Sequence, residues 1–131
     1  MQSRIVQPTS ILMIDLDIVV DSYWLEVYRQ LVRLVLSHFG LVPNTIRITP
    51  SKNRGYHVRV YLSKPVPAYM ANLLQWSLLD DHGRVDFNRA RINAGYDGWN
   101  KMFEPAEWHL RRHYGSCMNS KNAKTKNTKE K

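Results

Sequence analysis

Two short apolar runs, each with ionisable side chains at alternate positions, constrain this chain most. The first is Ile11-Leu-Met-Ile-Asp15-Leu-Asp17-Ile-Val-Val20. A strand sends successive side chains to opposite faces. Leu12, Ile14, Leu16, Ile18 and Val20 then supply core, and Asp15 and Asp17 share the other face. The second run, Tyr56-His-Val-Arg-Val-Tyr-Leu62, divides the same way. Tyr56, Val58, Val60 and Leu62 face inward, leaving His57, Arg59 and Tyr61 on the opposite side. Two acids, a histidine and an arginine on the open face of a sheet suggest a divalent cation holding a phosphorylated substrate.

Between these runs the period changes. Asp21 or Ser22 can cap a helix whose apolar stripe is Trp24, Leu25, Tyr28, Leu31, Val32, Val35, Leu36 and Phe39. Gly40 is a natural left-handed stop. Thr45-Ile-Arg-Ile-Thr49 alternates as a short strand, with Ile46 and Ile48 inward and Arg47 outward. A turn over 50–55 leads into the strand 56–62. A second helix fits Ala68 to Leu79, with Met70, Leu73, Leu74 and Leu78 buried. A further strand fits 99–103. A βαββαβ order builds an α+β fold, an antiparallel sheet with both helices on one face and the first and third strands adjacent. Asp15 and Asp17 would then stand beside His57 and Arg59. The polar stretch 83–91 fits a surface helix with Asp86 and Arg89 paired at i, i+3, or else supplies an acid to the site.

The 131 residues suffice for one domain with an ordinary core. Cys117 is the one cysteine, which rules out an intrachain disulfide and fits a reducing compartment. The amino-terminal residues lack the apolar stretch of a signal peptide, and no window approaches a membrane span. The expectation is a cytoplasmic protein with no membrane partner. Five lysines against one glutamate in 115–131 supply half of the +8 net charge. That tail has too little apolar surface to offset its ordering entropy. Its Lys121, Lys124 and Lys126 are candidate non-specific phosphate contacts, as weighed against a merely solubilising role.

The motifs Asp15-Leu-Asp17 and Ser51-x-x-x-Gly55-Tyr56-His57 together resemble the archaeo-eukaryotic primase superfamily, in particular the small primase-polymerases of archaeal viruses and plasmids. The likeness spans roughly residues 11–103, with Leu78-Leu-Asp80-Asp81-x-x-Arg84 through Asp86 to Arg89 resembling a third block. It implies an RRM-like domain over 1–114 and template-directed nucleotide joining with Mg²⁺ or Mn²⁺. Asp15 and Asp17 would be the metal ligands. His57 and Ser51 would contact the phosphates of a nucleoside triphosphate. From their charge alone, not from the resemblance, Lys52, Arg54 and Arg59 are further candidate phosphate contacts. The third carboxylate is open among Asp80, Asp81, Asp86 and Asp97, with Asp86 preferred as catalytic metal ligand. Nucleic acid is the expected partner, contacted by Arg47 and by Tyr61 as a stacking ring, and other replication proteins could join it. If the chain is viral, its compartment is the host cytoplasm.

Three other readings compete. A non-catalytic nucleic-acid-binding protein of the same fold would tolerate loss of Asp15 and Asp17. A rolling-circle nuclease needs a histidine pair in its strand, where this chain has His57 alone. A structural protein would use the sheet face as an interface. Separately, His109 and His113 at i, i+4 could share a Zn²⁺ on a helix, although two surface histidines beside an incidental Cys117 is the favoured account. Trp76, Tyr96, Trp99 and Trp108 read as core or interface residues.

Overall fold

A computed structural model describes residues 5–52 and 54–102. Their order is β1 (Thr9–Leu16), α1 (Ser22–His38), β2 (Pro43–Pro50), β3 (Tyr56–Val66), α2 (Ala68–Ser77) and α3 (His82–Asn93). The strands form one antiparallel sheet in the order β1-β3-β2. The fold is α+β, and the first and third strands are neighbours as the expected element order implied. Residues 99–102 are not in a strand, so the expected fourth strand is absent from the described residues. The carboxy-terminal lysines, His109, His113, Cys117 and Trp108 lie outside them.

One sheet face is covered and the other is open. Leu12, Ile14 and Leu16 of β1 are buried with Val58 and Val60 of β3 in a single core. From α1 the core takes Tyr28, Val32 and Leu36, one side chain per turn, flanked by partly buried Trp24, Leu31 and Val35. Asp21 caps this helix by accepting from the Trp24 amide at 2.9 Å. Gly40 takes the left-handed conformation (φ 72°) just beyond the end. Phe39 departs from the expected stripe and is 49% exposed. It is the C-cap residue, so its backbone has left the helical path, and its ring packs edge-on against His38.

On α2 the buried face is Ala71, Leu74 and Gln75, continued by Leu78. Leu73 was expected on that face and is 61% exposed. Steps of about 100° per residue carry it off the line through 71, 74, 75 and 78. The helix ends at Ser77, short of the expected Leu79, because Leu79 adopts a left-handed backbone (φ 74°). That reversal turns Asp80 inward. Asp81 caps α3 through the Arg84 amide. The helix is held by polar packing: buried Asn88 donates to Asn72, which donates to the Val85 carbonyl. Trp99 closes the core, whereas Trp76 and Tyr96 are more than half exposed. No helix among the described residues is long and apolar enough to cross a membrane.

Candidate functional site

The β1–β3 register places Asp15 opposite His57. The Asp15 Oδ1 to His57 Nε2 distance is 3.9 Å, with His57 only 6% exposed. Burial pushes the Asp15 carboxyl above its ordinary range. The His57 and Arg84 charges pull it back, and those of Asp80 and Asp81 push it further up. β1 ends at Leu16, which pairs with Tyr56, the first residue of β3. Asp17 therefore lies beyond the ladder. It is exposed, with its Oδ1 3.4 Å from the Arg54 Nε.

The 51–55 turn is built tightly against that strand end. Ser51 N–H donates to the Gly55 carbonyl, and the Ser51 hydroxyl donates to the Arg54 carbonyl. The hydroxyl expected to contact phosphate thus clasps its own turn. Gly55 has φ 87°, and a Cβ there would stand 2.0 Å from the Leu16 carbonyl oxygen. No other residue fits without displacing one of the two segments. This close approach brings Lys52 and Arg54 alongside the two acids.

The outer edge of β1 is fixed by side chains where a fourth strand would otherwise pair. Met13 N–H donates to Gln75 Oε1 at 2.9 Å, and Asp15 N–H to Asp80 Oδ1 at 2.8 Å. Arg84 Nη2 donates to the Met13 carbonyl at 2.9 Å. Arg84 Nε stands 3.1 Å from Asp80, forming a buried ion pair, and Asn100 links Arg84 to Gln75. Burial raises the Asp80 pKa, opposed by Arg84 and by the amides of Asp15 and Asp81 that it accepts from.

Asp15, Asp17, Ser51, Lys52, Arg54 and His57 all line one cleft of about 490 Å³, a volume suited to a small ligand. α3 and the chain after it form the other wall, with Asp81, Arg84, Phe87, Arg91 and Lys101. Some expected members are elsewhere. Asp86 lies on another side of α3, 3.5 Å from Arg89, in the groove between α2 and α3 that Tyr69 and Trp76 also line. Asp81 is the exposed acid that this segment brings to the cleft. Asp80 serves the strand edge, and Asp97 accepts from the Gln7 amide outside the cleft. Arg59 faces Met13 and Arg47 across the sheet, with Tyr61 one step further along, between Ile11 and Thr45. These three mark the open face rather than the cleft.

The cleft residues missed in the sequence are Arg84, Phe87, Arg91 and Lys101. Arg84 follows Asp80 at i, i+4, a legible pairing signal. Phe87 is only loosely periodic with Val85 and Ile92, a weak signal. Among the described residues, no three His, Cys, Asp or Glu side chains are close enough as placed to hold a metal ion. Mg²⁺ ordinarily takes one or two carboxylates and completes its shell with water and substrate phosphate. The hard oxygen donors of Asp15 and Asp17, on a cleft edged by cations, fit that requirement. Comparison with known proteins finds no matching family model, no similar curated protein and no similar solved structure.

Proposed function

We propose that this cleft binds a nucleoside triphosphate together with Mg²⁺ or Mn²⁺, and that the domain is a primase-like nucleotidyltransferase. The observation carrying the proposal is that Asp15 of β1, Asp17 just past its end and cations of the 51–55 turn line the same cleft. Asp15 and Asp17 would hold the cation. When bound, it would neutralise phosphate charge and align the attacking and leaving oxygens. Lys52, Arg54 and Lys101 are the phosphate contacts, and His57 orients Asp15 from its buried position. Arg54 and Asp17 now neutralise one another in exposed surroundings, where such a pair contributes little. A cation and a phosphate arriving together give each of them a new partner, so the two ligands should reinforce one another.

The like-charged Arg47 and Arg59, opposite one another on the open face, favour a second reading: a nucleic-acid-binding protein without catalysis. Two guanidinium groups presented together on one sheet face make a local basic surface of the kind that contacts phosphates. One experiment separates the readings. Mn²⁺ is titrated calorimetrically into the wild type and Asp15→Ala/Asp17→Ala, with and without nucleoside triphosphate. Single-stranded DNA binding is measured alongside. The enzyme reading expects about tenfold tighter Mn²⁺ binding with nucleotide and loss in the double variant. Absence of Mn²⁺ binding in the wild type, with DNA binding intact in both proteins, would establish the second reading instead.

A further inference from the structure

We infer that Phe87 is the platform on which this cleft stacks a nucleobase, an inference that rests on the triphosphate reading above and assigns the other end of the same ligand. Phe87 projects from α3 into the charged cleft and is 65% exposed. It contributes nothing to the apolar core, and α3 is anchored there by Asn88 and Ile92. A phenylalanine left largely in water beside Lys and Arg side chains gains by finding a flat apolar partner.

Its surroundings hold the ring ready. The Arg91 guanidinium lies 5.7 Å from the ring centroid, in cation–π range. Arg91 is itself held: Nη1 donates to Asn88 Oδ1 at 3.3 Å and to the Trp99 carbonyl at 3.4 Å. Asn88 and Trp99 are both buried, so this clamp is rooted in the core. The ring is supported on one side and open to the cleft on another. A ligand that satisfies this lining carries several negative charges, for Lys52, Arg54 and Lys101, together with a planar aromatic ring for Phe87. Nucleotides have that composition, and aromatic side chains stack bases of any identity.

The test compares ATP with inorganic tripolyphosphate, which has the charge and lacks the ring, by calorimetry in Mn²⁺. Wild type, Phe87→Ala and Phe87→Trp are measured, with thermal melts to establish that each is folded. The wild type should bind ATP about tenfold tighter than tripolyphosphate. Phe87→Ala should erase that preference while leaving tripolyphosphate affinity unchanged. Phe87→Trp should restore it, with indole fluorescence quenched by ATP and unaffected by tripolyphosphate. Equal wild-type affinity for the two ligands overturns the platform and leaves the triphosphate reading standing. So does an equal loss of both in a folded Phe87→Ala. A wild type that binds neither overturns both.

Discussion

The two outer edges of the sheet are guarded in different ways. Along β1, three successive backbone groups, Met13 N–H, Met13 C=O and Asp15 N–H, are each taken by a side chain from α2, α3 or the link between them. Along β2, Arg29 reaches across from α1 to the Ile46 carbonyl at 2.7 Å, while Thr45 and Arg47 stay exposed. An unguarded edge invites pairing with another chain. The β1 edge receives the more elaborate treatment, and Asp15 is carried on it. Fixing the strand's backbone fixes where that carboxylate stands.

If this contrast is right, breaking the β1 edge should be the most damaging change. Arg84→Met leaves Asp80 charged and buried with its cationic partner gone, an expected loss of about 3–5 kcal/mol in urea denaturation. A loss as small as that of an exposed ion pair would mean that the edge is not anchored by this pair. On the other edge, Arg29→Met removes one hydrogen bond from a partly exposed side chain and should cost about 1 kcal/mol. Equal losses at the two edges would dissolve the contrast.

The smallest effect should carry the opposite sign. The raised Asp15 pKa means that the folded protein holds this proton more tightly than the unfolded chain does. Its contribution is therefore most favourable below the ordinary carboxylate pKa of 3.8, and stability falls as pH rises through the raised value. Asp15→Asn removes the desolvated charge. With a chelator present it should stabilise the protein at pH 7 by less than about 1 kcal/mol, since the Asp15 side chain is 35% exposed. The gain should fade in thermal melts taken near pH 3. A destabilised Asp15→Asn at pH 7 would mean that the contact with His57 outweighs the burial cost.

The parts of this architecture legible in the sequence are those with a strict period. Alternation marked the inward residues of β1 and β3, and the stripe through Tyr28, Val32 and Leu36 marked α1. The facing of Asp15 and His57 followed from those two periods and the expected strand order. Periodicity failed where burial is polar. Gln75, Asp80 and Asn88 are polar and buried, and apolar periodicity carries no information on such positions. The edge network, apart from the i, i+4 spacing of Asp80 and Arg84, and the attachment of α3 were therefore not legible. It also misled at helix ends and flanks, placing Phe39 and Leu73 in the core. Asp86 was preferred over Asp81 as the third acid. The direction of α3 puts Asp81 on the cleft and Asp86 in the groove between α2 and α3. That direction follows the left-handed turn at Leu79, for which a leucine gives no signal.

The β1–β3 pairing also bears on the order in which the molecule comes together. The β2–β3 hairpin closes across a short turn, whereas β1 must find β3 across the whole of α1 and β2. Contacts distant along the chain close a longer loop and tend to form later. Asp15 meets His57 in that less local step, and the far wall of the cleft comes from α3, later still in the chain. A partly folded chain can thus possess the hairpin without possessing the cleft. Any ligand of the cleft then recognises the finished fold alone and shifts the folding equilibrium by mass action. The midpoint of a thermal melt, followed as ligand is added, becomes a direct gauge of how well that ligand binds.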